Sequence, residues 1–139
     1  MEERWKKIEE WPYEVSDWGR VRSLSRTIYR VRGRYRGKKW TYKGRILKPG
    51  IYPKYGYWIV VLNRLGKCRT VNVHQLVAEA FLPPRPCGME VNHVDGDKAN
   101  PHYTNLEWKT HARNMQHSIE IGLRRFVVNK HGIFKIRNK

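Results

Sequence analysis

Residues 90–108 read EVNHVDGDKANPHYTNLEW, and the fold turns on that stretch. Met89 to Val94 alternates apolar and polar residues as a half-buried strand does, a ten-residue loop follows, and Asn105 to Lys109 is its expected partner strand. Inside the loop, Asp95-Gly96-Asp97 and Asn100-Pro101 are turn chemistry. The first of these opens like a calcium loop but lacks the closing Glu that such a loop requires. Thr110 can then cap a helix whose Ala112, Met115 and Ile119 are expected to face the core and whose end is marked by Gly122. Two strands, a loop and a helix form a compact ββα unit, with the first strand's end facing the first helical turns. Asn92 and His93 stand at that strand end, and Asn114 lies one turn before His117 on a shared helix face.

Upstream the period changes. In VHQLVAEAF (73–81) the apolar residues recur at helical spacing, with Asn72 placed to cap the start and Pro83 and Pro84 to stop the helix. YWIVVL (57–62) is the clearest strand, turning at Arg64 to Lys67 so that Thr70 to Val73 pairs back. YEVSDWGRVRSL (13–24) reads as a hairpin turning at Asp17 to Gly19, preceded by a short turn. Arg26 to Lys48 reads as a long hairpin or loop. The fold class is therefore α+β, built of short antiparallel β-hairpins and two principal helices, with the ββα unit towards the C-terminus. Trp108 is expected in the core beneath that unit.

Composition narrows the function. The 139-residue chain carries a formal charge of +17, and between Trp18 and Ala78 it has sixteen Lys or Arg and no Asp or Glu. A surface serving only solubility mixes both signs. The partner of so basic a segment is a polyanion. Membrane binding asks for an amphipathic basic helix, whereas these residues alternate with Val, Ile, Tyr and Gly as strands and turns do, so nucleic acid is favoured. Arg20, Arg22, Arg30, Arg32, Arg34, Arg36, Lys38, Lys39 and Arg113 are the candidate phosphate contacts. Tyr29, Tyr35, Trp40 and Tyr42, interleaved with them, serve either base and sugar contacts or packing of the hairpin.

The opening MEERWKKIEEW has no apolar run, so neither a signal peptide nor a membrane span is expected, and the expected location is cytoplasmic. Cys68 and Cys87 form no CxxC pair. Among the remaining histidines, His74 is expected to be structural, His102 and His111 to lie on the surface, and His131 to sit in a basic tail.

The stretch 90–117 resembles the HNH nuclease family, whose site is a ββα-metal (His-Me) finger. The likeness extends to VHQLVAEAF, to GRILKP and GYWIVVL, and to Trp5–Ile8 with YEVSDWGRVRSL, which resembles the N-terminal module of phage and intron-encoded members, and so covers residues 4–120. The resemblance implies a basic DNA-binding module over residues 1–50, a nuclease core over 51–122 and a basic tail over 123–139. It further implies His93 as general base, Asn105 as the residue orienting it, Asn92 and Asn114 as ligands of one divalent ion, and His117 as a candidate further ligand. Many relatives have Asp or His where this chain has Asn92, although Asn also occurs there, and two amide ligands bring no charge. Magnesium or manganese is the implied ion, with zinc or nickel as alternatives suited to imidazole. The implied function is a phage-encoded DNA endonuclease that acts on duplex DNA as a monomer or weak dimer and nicks one strand, leaving 5′-phosphate and 3′-hydroxyl ends. The alternative is a non-catalytic DNA-binding module with a degenerate finger. The short chain beyond the finger does not suggest recognition of a long target site.

Overall fold

The computed structural model describes residues 2–123, together with the backbone of residues 125–129 and 132–136. His131 lies outside the described residues. Strands β1 (Trp5–Lys7), β2 (Tyr13–Ser16) and β3 (Val21–Ser23) are followed by β4 (Arg26–Tyr29), β5 (Lys39–Tyr42) and β6 (Arg45–Ile46). One antiparallel sheet has the order β1-β2-β3-β6, while β4 and β5 pair only with each other as an exposed ribbon. The expected β2–β3 hairpin is present, with Val15 opposite Val21. The segment expected as a turn before it contains β1, with Trp5 paired to Ser16. Three residues are too few to show an alternation, and this strand exists because β2 offers it an edge.

Strands β7 (Gly50–Ile51), β8 (Trp58–Arg64) and β9 (Lys67–Asn72) form a second sheet. The β8–β9 connection is a two-residue turn in which Leu65 and Gly66 both have positive φ (49° and 81°), the geometry whose twist suits a hairpin. Along β8, Val60 and Leu62 point into the core and Val61 out to solvent, as strand alternation requires. Helix α1 (Val73–Phe81) follows directly. Asn72 occupies its N-cap position, but its side chain caps nothing; Nδ2 donates instead to Gln75 Oε1 at 3.4 Å. The helix ends before Leu82, which is extended as a residue preceding proline must be.

The finger comprises β10 (Met89–His93), a 3₁₀ turn at Tyr103–Asn105, β11 (Leu106–Thr110) and helix α2 (His111–Glu120), followed by a hairpin of β12 (Arg125–Asn129) and β13 (Gly132–Ile136). Asn105 thus closes the 3₁₀ turn and does not open the strand. Thr110 caps α2 through Arg113 N–H, and Gly122 ends it at φ 74°. The expected inward face of α2 is only partly right. Ala112 and Ile119 are exposed, whereas Asn114, Met115, His117 and Ser118 are half-buried. The helix meets the sheet with a mixed face because that face also lines a polar cleft.

One cluster of buried side chains holds these parts together: Tyr13, Val15 and Val21 from the first sheet, Val60 and Leu62 from the second, Val73, Leu76, Val77 and Ala78 from α1, and Leu106 from the finger. Each large aliphatic side chain buried there contributes roughly 1.5–3 kcal/mol. Trp108 packs against the edge of this cluster and donates Nε1–H to Pro83 O.

The N-terminal sheet is also fastened to the finger loop. Asp17 O accepts from Tyr103 N, and Arg4 Nε donates to the buried Asp17 carboxylate at 2.8 Å while its guanidinium lies over the Tyr103 ring. Burial alone would raise the Asp17 pKa, but hydrogen bonds from Arg4 outweigh it and hold the carboxyl below its ordinary value. Gly19 (φ 82°) lies directly beneath Pro101, and a Cβ there would overlap the proline ring. Among the described residues no helix is long and apolar enough to cross a membrane.

Candidate active site

Strand β10 ends with Asn92 and His93, both buried, and α2 runs across them with Asn114 and His117. The four side chains line one cleft of about 460 Å³, closed on its other sides by Tyr57, the loop from Gly96 to Ala99, and His111. Sequence spacing alone brought Asn114 and His117 to one face, and the structure sets that face against the strand end. Arg113 is exposed and does not line the cleft. Among the described residues three grooves are larger, of about 590 Å³ beside α1, about 800 Å³ beneath the β4–β5 ribbon and about 510 Å³ beside β3 and β6, but none is lined by a histidine.

Asn105 lies behind the cleft and binds the loop to the strand end. Its Oδ1 accepts from Asp95 N at 3.0 Å, and its Nδ2 donates to Asp95 Oδ1 and Asn100 O, each at 2.9 Å. Its backbone carbonyl receives Val94 N–H at 2.8 Å. His93, one residue before Val94, is therefore held at a strand end whose exit is hydrogen-bonded on both main chain and side chain.

His93 packs in an aromatic group. Its ring centroid is 5.0 Å from that of His74, in an edge-on arrangement, and 6.0 Å from that of Tyr57, with Lys98 Nζ over the other partner of this group, the Tyr57 ring. Burial lowers the His93 pKa; Asp95 and Asp97 offset part of that effect, and Lys98 adds to it. The imidazole is consequently neutral at neutral pH. Among the described residues Nε2 is buried without a hydrogen-bond partner, which leaves Nδ1 for chemistry at the cleft. His74, expected to be a structural helix residue, is buried as expected but is a direct neighbour of His93; its linear position gives no hint of that. Tyr57 and Lys98 were not singled out by sequence either, because only the tertiary fold brings them to the strand end.

His74 makes the protein acid-sensitive. Burial, reinforced by His93 and Lys98, lowers its pKa from 6.5 to about 3. The unfolded chain takes up this proton first, so the stability is fully present above pH 6.5 and is lost as pH falls towards 3. Over that interval the loss approaches about 1.4 kcal/mol per pH unit for each proton so withheld. Urea unfolding at pH 7.5 and pH 5 should show the decline, and His74→Phe should flatten it. An unchanged pH slope in that variant would assign the acid sensitivity elsewhere.

Each amide of the cleft is held through its nitrogen by a carboxylate. Asn92 Nδ2 donates to Glu107 Oε1 at 2.9 Å, and Asn114 Nδ2 donates to Glu90. Two hard oxygen donors at one cleft suit magnesium or manganese. Among the described residues no three His, Cys, Asp or Glu are grouped to hold a metal.

The candidate DNA contacts divide into two sets. Arg20 is ion-paired with Glu3 and Arg22 with Glu14, and both guanidinium groups lie over the Trp5 ring. Arg30, Arg32, Arg34, Arg36, Lys38 and Lys39 lie on or between β4 and β5, exposed, and among the described residues none of them is ion-paired with a carboxylate. Tyr29, Tyr35, Trp40 and Tyr42 are exposed on the same ribbon.

A family model described as HNH endonuclease matches residues 71–116, and one described as NUMOD4 motif matches residues 3–63. DNA endonuclease I-HmuI of Bacillus phage SP01 is 34% identical over 137 residues, covering 97% of this chain and 68% of that protein. An uncharacterized HNH endonuclease of Acanthamoeba polyphaga mimivirus is 31% identical over 131 residues, but this chain spans only 34% of its length. The solved structure entitled "DNA binding and cleavage by the HNH homing endonuclease I-HmuI" superposes with a TM-score of 0.66 at 28% identity, covering 96% of this chain and 77% of that one.

Proposed function

The chain belongs to the HNH endonuclease family, and from that premise we propose that it is a divalent-metal-dependent DNA endonuclease, phage-encoded, that nicks one strand of duplex DNA. HNH endonucleases are generally dependent on a divalent metal. The observation that carries the reading is the convergence of a neutral, buried imidazole with two amide oxygens at one cleft. His93 Nδ1 accepts the proton of a water attacking phosphorus, a role that suits an imidazole kept neutral. Asn105 keeps the loop behind His93 in place, and Asn92 and Asn114, with His117 beside them, hold the ion. When bound, that ion stabilises charge on the scissile phosphate and on the leaving 3′ oxygen. The products are 5′-phosphate and 3′-hydroxyl ends. A single base and a single ion site handle one strand, which favours nicking by a monomer or weak dimer.

The exposed ribbon with its unpaired Arg and Lys supports backbone binding, more so than Arg20 and Arg22, whose charges are engaged by Glu3 and Glu14. Supercoiled plasmid incubated with EDTA, magnesium, manganese or zinc in turn tests the proposal. Open circles should form only with metal. Binding without nicking under every metal would instead identify a DNA-binding module with an inactive finger.

A further inference from the structure

We propose that Glu107 and Glu90 are positioning residues of the ion site: each carboxylate takes the NH₂ end of one amide ligand, turns that ligand's oxygen towards the ion, and supplies negative charge that the ligands themselves lack. This rests on the reading that Asn92 and Asn114 hold a divalent ion.

The register of the finger sets up the first pair. Asn92 stands directly opposite Glu107 across β10 and β11, and its Nδ2 donates to Glu107 Oε1 at 2.9 Å. Glu90 lies two residues earlier on β10, so it shares the face of Asn92, and Asn114 reaches down from α2 to donate to it. An amide's two ends have nearly the same shape, so the neighbours decide which end points where. An ionised carboxylate only accepts. Each glutamate therefore fixes its amide with nitrogen inwards and oxygen outwards.

The surroundings hold these carboxylates in place. Lys109 Nζ lies 2.8 Å from Glu107 Oε1, and His111 Nδ1 lies 3.3 Å from Glu90 Oε1. Two carboxylates therefore stand directly behind ligands that carry no charge of their own. Residues of this kind, hydrogen-bonded to ligands and not touching the ion, commonly alter metal affinity by about 10-fold or more.

A double-mutant cycle reads this directly. Mn²⁺ binding is measured by water-proton relaxation and electron paramagnetic resonance on the full chain without DNA, with thermal melts confirming folding. Glu107→Gln should weaken Mn²⁺ binding about 10-fold in the Asn92 background. Asn92→Asp alone sets two carboxylates against each other at hydrogen-bonding distance. In Asn92→Asp/Glu107→Gln the hydrogen bond re-forms with its direction reversed, and binding should return to wild-type strength or better. Glu107→Gln thus weakens binding beside asparagine and strengthens it beside aspartate. The same change in both backgrounds, or none in either, overturns the proposal. If wild type and Asn114→Ala bind Mn²⁺ equally, the ion is not held where the functional reading has it, and that reading falls together with this one.

Discussion

Replacing His93 with alanine is expected to abolish metal-dependent nicking, lowering the rate about 10²–10⁴-fold, while leaving DNA binding intact. The size follows from the removal of the proton acceptor from the attacking water, and the selectivity from its position. His93 lies in the cleft, whereas the basic ribbon that offers phosphate contacts is built from β4 and β5. Neither His74 nor His117 is placed to take over. His74 is buried, with its Nδ1 sealed from water, and His117 projects from α2 beside the proposed ion ligands. Plasmid relaxation and gel shift on the same preparation check both halves. His93→Gln, which preserves much of the volume, separates loss of the base from loss of packing. Undiminished nicking by His93→Ala would move the base elsewhere.

Asn105→Asp should be nearly as damaging, for a different reason. The native amide donates to Asp95 Oδ1 and Asn100 O while accepting from Asp95 N. An introduced carboxylate retains the acceptor and turns both donated bonds into contacts between oxygens, one of them with an anion. Burial tends to raise the Asp95 pKa, but bonds from Asn100, Asn105 and Asp97 N keep it low, so Asp95 does not readily protonate to relieve the conflict. The cost is about 2–4 kcal/mol of stability, read as a lower urea midpoint, with nicking reduced at least tenfold through displacement of His93. Asn105→Ala, which deletes the bonds without adding repulsion, should be milder. Equal midpoints for wild type and Asn105→Asp would mean that the loop does not depend on this side chain.

What could be read in the sequence followed the range of the interactions. Strands β8 and β10 and helix α1 announce themselves through local periodicity, and the strand–loop–strand–helix order of the finger is written in consecutive residues. Strand β1 escaped because three residues carry no period and pairing with β2 defines it. The face of α2 was misjudged at Ala112 and Ile119 because apolar spacing assumes an apolar neighbour, while here the helix covers a polar cleft. At the site, Asn92, His93, Asn105, Asn114 and His117 were recognisable as a set. Their surroundings were not. Tyr57, His74 and Lys98 reach His93 only through tertiary folding, and the pairing of Asn92 with Glu107 depends on a register that no single strand encodes.

The exposed ribbon, with six cations that have no carboxylate partner among the described residues, makes added electrolyte act in two opposite directions. Mobile anions gathering around Arg30 to Lys39 quiet the repulsion within a chain of charge +17, so the free protein should melt at a higher temperature as sodium chloride is raised. The same ions remove the entropic gain from counterions released when DNA binds, so affinity falls steeply over the same range. Buffers that best preserve the isolated protein are thus those in which it holds DNA least, and in dilute salt the double helix itself takes over the shielding that the chain's own carboxylates do not provide.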